Sequence, residues 1–236
     1  KKLSVIAISS VLTLGGLAGC DNSGSIGQPG PGPETRAIDG QVADGPVFGA
    51  IVTVTDINGD TVATSEPTNE DGTYVVNIPL DILDPANGHL PLTFTANGGE
   101  DIVSGGDPTE TVVSVMTEED TTKLNLNMFT TLAVKILKAK GVEDKDIDKE
   151  NLEGTLLQVL NAIGFGAPNK DTILKGDLVS DDVAAEFLGA NEGLIEVIRR
   201  SRVSGGLNVL AADLTDGSID GNVLEGVTIP VEATDT

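Results

Sequence analysis

Tryptophan is absent from this 236-residue chain, cysteine, histidine and tyrosine occur once each, and aromatics make up only 3% of it. One histidine and one cysteine exclude metal sites built from two or three such ligands. A Ser-His-Asp or Cys-His arrangement would have to rest on His89 alone. That residue lies in Pro85-Ala-Asn-Gly-His-Leu-Pro91, a turn-rich loop without a nucleophile elbow, and is expected as an exposed loop histidine. A sugar-cleaving cleft with paired carboxylates would have to do without the Trp and Tyr walls such sites use.

Basic residues are also scarce. Lys and Arg number 14 against 37 Asp and Glu, a formal net charge of −23. A surface of that sign repels nucleic acid and anionic headgroups, which excludes both as partners. The acidity is either a solvated coat or, where carboxylates cluster, a source of oxygen ligands for Ca²⁺. No other cofactor is expected. Beyond the first twenty residues no apolar run approaches the ~18 residues needed to span a bilayer. The 39% of apolar residues suffice for a core, built from Val, Ile, Leu and Ala with Phe and Tyr used singly.

What is present begins at Lys1-Lys2, followed by an apolar run from Leu3 and then Gly15-Gly-Leu-Ala-Gly-Cys20. A short basic stretch, an apolar stretch of about a dozen residues and small residues before a cut site are the parts of a secretory signal. Leu17-Ala18-Gly19-Cys20 resembles a bacterial lipobox. The resemblance implies cleavage before Cys20, a diacylglycerol thioether on its thiol, and export to the cell envelope or surface on a lipid anchor. With Cys20 so used, no disulfide and no free thiol remain, and removal of the leader leaves 12 basic against 37 acidic residues. Residues 20–35 are the lipidated Cys and a Gly-, Pro- and Ser-rich linker that cannot bury enough surface to order itself.

From residue 36 short β-branched runs alternate with turn signals. Ile51-Val-Thr-Val-Thr55 and Thr61-Val-Ala-Thr64 flank an Asn58-Gly59 hairpin signal. Tyr74, Val76 and Ile78 fall on one face of the run from Thr73. Further strands are expected at Ala37–Ala43, Leu92–Ala96, Thr111–Met116 and Thr122–Met128. Strands at this spacing suggest an antiparallel sandwich. Gly40-x-Val42-x-Asp44-Gly-Pro-Val47-x-Gly49-Ala50-x-Val52-x-Val54, with Asp71-Gly-Thr-Tyr74 after it, resembles the carboxypeptidase regulatory-like, or prealbumin-like, domain. That resemblance implies an Ig-like β-sandwich over residues 36–128 that serves as an accessory module without catalytic residues.

Near Phe129 the hydrophobic period changes from 2 to 3.6, so residues 129–221 are expected as a small helical domain and the whole as an α+β chain. One helix opens at Thr130 and ends before Gly141. A second follows Asp148 as N-cap, with Leu152, Leu156, Val159, Leu160 and Ile163 as its stripe. Phe165–Val179 reads mostly as loop, Ser180 caps a third helix, and a short fourth lies near Leu207–Leu214. The tail, 222–236, can supply an edge strand, the only place for Pro230 in a sheet.

Three groups carry candidate chemistry. Asp56-x-Asn58-x-Asp60 has the alternating oxygens that open an EF-hand but neither its glycine nor its closing glutamate, so it reads as a hairpin turn. Asp213, Asp216 and Asp220 form either a Ca²⁺ site or an ordinary Asp-Gly turn. Arg199, Arg200 and Arg202 either favour a helix C-terminus or dock a carboxylate-bearing partner. Gly164–Lys170 lacks the ending of a phosphate loop. The expectation is a non-enzymatic, lipid-anchored surface protein with a structural, adhesive or assembly role. The alternatives are a lipoprotein that captures a sugar, peptide or Ca²⁺, and a fibre subunit joined through strand addition by the 223–231 segment. Its partners are the membrane, through lipid, and a protein or a second copy.

Overall fold

The computed structural model describes residues 32–108, 110–163, 168–200 and 206–219, with only the backbone described at 163, 181 and 197–200. Strands come first: β1 (Thr35–Ala43), β2 (Val47–Phe48), β3 (Ile51–Thr55), β4 (Thr61–Thr64) and β5 (Thr73–Pro79). A one-turn helix, α1 (Leu80–Leu83), precedes β6 (Leu92–Asn97), β7 (Glu100–Asp101), β8 (Val113–Met116) and β9 (Leu126–Asn127). Helices follow: α2 (Met128–Ala139), α3 (Lys149–Ile163), α4 (Lys170–Lys175), α5 (Asp181–Arg200) and α6 (Gly206–Asp213). The result is a mixed α and β fold, with the change of element type at the residue where the hydrophobic period changes.

The strands form three sheets, ordered β4-β3-β6-β8, β5-β1-β9 and β2-β7. Alternation places one face of each larger sheet inward. Val52 and Val54 of β3, Leu92, Phe94 and Ala96 of β6, and Tyr74, Val76 and Ile78 of β5 are buried, while Val75 and Asn77 between them are exposed. The hairpin joining β3 to β4 turns at Asn58-Gly59, with Gly59 at φ +82° and the Asp56 amide donating to the Asp60 carbonyl. Pairing is not antiparallel throughout, however. β9 runs parallel to β1, Val42 opposite Leu126 and Ala43 opposite Asn127, because the chain leaving β8 returns alongside β1 in the same direction. The strand expected over Thr122–Met128 is correspondingly short.

Helix α2 begins two residues before the expected Thr130 because Asn127 is its cap. The Asn127 Oδ1 accepts the Thr130 amide and the Thr130 hydroxyl accepts the Asn127 amide, each at 3.0 Å. The same turn closes the edge of β8: the Thr131 hydroxyl accepts the Val113 amide and the Thr130 hydroxyl donates to the Val113 carbonyl, both at 2.8 Å. The first outward position of that edge strand is thus occupied by side-chain hydroxyls. α2 then lies between β8 and β9 on one side and α3, α5 and α6 on the other, with Phe129, Leu132 and Ile136 fully buried. Strand and helix side chains share one hydrophobic cluster, so the change of period is not a seam in the packing.

Asp148 caps α3, accepting the Asn151 amide at 2.8 Å. The stretch expected as mostly loop holds α4, a short helix capped by Asn169, whose side chain accepts the Thr172 amide at 3.0 Å. The 222–236 tail lies outside the described residues.

Gly40 shows why the sequence needs a glycine in mid-strand. A Cβ there would lie 1.7 Å from the Leu124 carbonyl oxygen and 3.0 Å from the Tyr74 ring. Gly59 has open space and only its positive φ to satisfy. Urea unfolding should therefore separate two substitutions: Gly40→Ala is expected to lose about 3 kcal/mol through overpacking, Gly59→Ala about 1 kcal/mol through backbone strain. Equal losses would contradict the packing argument.

Candidate functional site

The outer face of the β5-β1-β9 sheet carries a cleft of about 300 Å³. Asp39 and Gln41 of β1 point to this side, as does Val75 of β5, because odd-numbered positions of the pair share a face. Lys123 flanks them, Asp71 reaches in from the turn before β5, and Asp177 closes the far end. Three acidic residues and one lysine thus line the cleft. A smaller cleft of about 180 Å³ is lined by the turn at Gly98-Gly99, by Asp107, Pro108 and Glu110–Val112, and by Val42 and Val47.

Below the larger cleft lies a network of buried amides. The Gln41 Oε1 accepts the Leu178 amide at 2.7 Å, and the Gln41 Nε2 donates to Asp177 at 3.4 Å. The Asn125 Oδ1 accepts the Gln41 amide at 3.1 Å, while the Asn125 Nδ2 donates to the Gly176 carbonyl at 2.9 Å. The Asn127 Nδ2 donates to the Ile173 carbonyl at 3.0 Å. These bonds take up carbonyls left free at the end of α4 and hold the Asp177–Val179 segment over the sheet. Tyr74 completes the floor: its hydroxyl donates to the Leu124 carbonyl at 2.7 Å. Burial pushes the phenol well above its usual range, and Asp39 pushes it further, so it stays a neutral donor.

His89 differs from expectation. Its side chain is 32% exposed and its Nδ1 lies 2.9 Å from Asp56, which is 2% exposed. The Asp56 carboxylate also accepts the amides of Asn58 at 2.9 Å and Asp60 at 3.0 Å, and the Asn58 side chain at 3.1 Å. The loop histidine therefore joins the β3–β4 hairpin to the segment before β6. Burial raises the Asp56 carboxyl, but the bonds from His89, Asn58 and Asp60 together outweigh it and bring the group down from 3.8 to about 2.

The structure treats the other expected sites unevenly. Asp213 is buried at the end of α6, whereas Asp216 is exposed and accepts the Ser218 amide at 2.9 Å; Asp220 lies outside the described residues. Among the described residues no three His, Cys, Asp or Glu side chains are placed to hold a metal ion. Arg199 and Arg200 end α5 with only their backbone described, and Arg202 and Cys20 lie outside the description. Lys170 pairs with Glu153 at 2.6 Å and Asp171 at 2.8 Å. No described helix is long and apolar enough to cross a membrane. The chain matches no family model, no curated protein and no solved structure.

The depressed Asp56 carboxyl fixes the sign of an acid dependence. Its stabilising contribution is complete above the unfolded value of 3.8 and is lost as pH falls through about 2. It is on the order of 1–2 kcal/mol after allowance for screening. Thermal melts between pH 5 and pH 2 should show Asp56→Asn less stable than the parent at pH 5 and nearly level with it at pH 2. A constant gap across that range would contradict the assignment.

Proposed function

We propose that this chain is a lipid-anchored protein of the bacterial cell envelope or surface, and that its folded part is a non-catalytic interaction module. The observation that carries the reading is Leu17-Ala-Gly-Cys20 behind a basic and apolar leader. The linker that follows holds the folded residues away from the lipid, with a reach on the order of 40 Å when extended.

We read the β layer as a prealbumin-like sandwich. Two larger sheets, each with one buried face, support this, as does the buried Tyr74 behind its Asp-Gly turn. Against catalysis stands the commitment of the one histidine to Asp56 in a hairpin lock. The role is adhesion, envelope assembly or display on a larger surface array.

In a bacterial host supplied with an alkyne-bearing fatty acid, the full chain should take up label and sediment with membranes. Cys20→Ser should remain unlabelled. An unlabelled parent chain would overturn the anchor. Turnover abolished by one Asp or Glu substitution would overturn the non-catalytic role.

The cleft on the outer sheet face favours a second reading, capture of a small sugar, peptide or Ca²⁺. Ligand that binds the folded state raises the melting temperature, and at a hundredfold excess over Kd it stabilises by about 2.7 kcal/mol. Melts in chelator and then in millimolar Ca²⁺ test the ion. If Ca²⁺ binds through the acidic turn, the rise should disappear in Asp216→Asn. Superimposable curves would make the acidity a solvated coat.

A further inference from the structure

The smaller cleft, about 180 Å³, lies where β1 and β6 end and β8 begins. Val42 is the last residue but one of β1, Ala96 the last but one of β6, and Val112 immediately precedes β8. With Val47 of β2 they give the cleft four buried apolar side chains. Gly98 and Gly99 line it with backbone alone. Its charged lining is Asp107 and Glu110, and no described Lys, Arg or His joins them. Neither carboxylate forms an ion pair among the described residues. The outer cleft differs on both counts, since it carries a lysine and fewer apolar groups.

Size and chemistry together narrow what can enter. Clefts that enclose a whole small molecule run to ~300–1,000 Å³, so this one has room for part of a ligand, on the scale of one long side chain. An anion would meet two carboxylates. A wholly apolar side chain would strip water from those carboxylates and give them no partner in return. A bare Ca²⁺ asks for about six to eight oxygens, and no three His, Cys, Asp or Glu side chains converge among the described residues. An apolar stem that ends in a cation answers both parts of the lining. Lysine and arginine have that form: their methylenes lie on apolar surface while the charge stays at the tip.

The source of that side chain follows from net charge. Two copies of this chain, each at −23, repel one another, whereas a basic partner is drawn in. We propose that this cleft is a slot for one lysine or arginine side chain of a partner protein. Its methylenes lie against Val42, Val47 and Val112, and its charge is held by Asp107 and Glu110. The proposal rests on reading the folded part as an interaction module, to which it adds the place and chemistry of one contact. It is independent of the lipid anchor and of the outer cleft.

The test titrates the isotope-labelled full chain with blocked pentapeptides, each holding one central residue between glycines, and follows the backbone amides by NMR. Lysine and arginine peptides should shift the Gly98, Gly99 and Val112 amides. A norleucine peptide keeps the stem without the charge and should bind about tenfold more weakly. A diaminobutyrate peptide keeps the charge on a stem two methylenes shorter and should also lose about tenfold. Asp107→Asn with Glu110→Gln should weaken the lysine peptide about tenfold and flatten its salt dependence. Neither carboxylate is buried, so the melting temperature should stay within about 2 °C. Equal binding of the norleucine peptide to the parent, or unchanged binding by the double variant, would overturn the proposal. Shifts at Gln41 and Val75 in place of Gly98 and Gly99 would do the same by moving the peptide to the outer cleft. Tighter binding of free butylamine than of the lysine peptide would make the occupant a small amine and overturn the proposal, leaving the non-catalytic reading in place. Self-association of the parent that the double variant abolishes would make it a second copy, and would also overturn it. Cys20→Ser should bind the lysine peptide like the parent, so loss of the anchor reading and loss of this one are separable.

Discussion

Two asparagines, one just before β9 and one at its end, turn their side chains away from water and into the end of a helix nearly fifty residues further on. Asn125 and Asn127 donate to the carbonyls of Gly176 and Ile173, and Asn125 also receives the backbone of β1 at Gln41. A buried amide that finds its partners contributes about 1 kcal/mol net, but one left without them costs about 1–3 kcal/mol. The two side chains are thus more important for what their loss would leave unpaired than for what they add. β1, β9, α2 and α4 are held in one arrangement by that requirement, and the outer cleft inherits its shape from it.

The second joint is the first turn of α2. Asn127 caps the helix while Thr130 and Thr131 occupy the edge of β8. One turn therefore meets two obligations, the orphan amides of a helix start and the unpaired row of a sheet edge. It can do so because the strand pairing with β1 ends at the residue that begins the helix.

What could be read from the residues was local. The bounds of β3 and β4, the turn at Asn58-Gly59 and the Asp148 cap each depend on neighbours within a few positions, and each is found where the pattern put it. The parallel run of β9, the helix at Lys170–Lys175 and the amide network depend on partners roughly fifty to more than eighty residues away, and no period announces them. Asn125-Leu-Asn127 carried one hint, since alternate amides on a strand share a face. His89 was misjudged for the same reason. Its loop has turn chemistry on both sides, and only the return of the chain past the β3–β4 hairpin brings Asp56 to it. The outer cleft was illegible because its carboxylates come from three separate stretches.

The shared core has a consequence for how this protein can vary over time. Where a β module and a helical module meet through a smooth surface, each can be inherited, duplicated or exchanged alone. Here a cut after residue 127 would leave the β8 edge bare and the asparagine side chains without acceptors, and the helices would keep apolar faces with nothing against them. Recombination that preserves function must then carry strands and helices together. The smallest heritable piece is the whole folded part, and the places open to splicing are the linker before Thr35 and the surface turns.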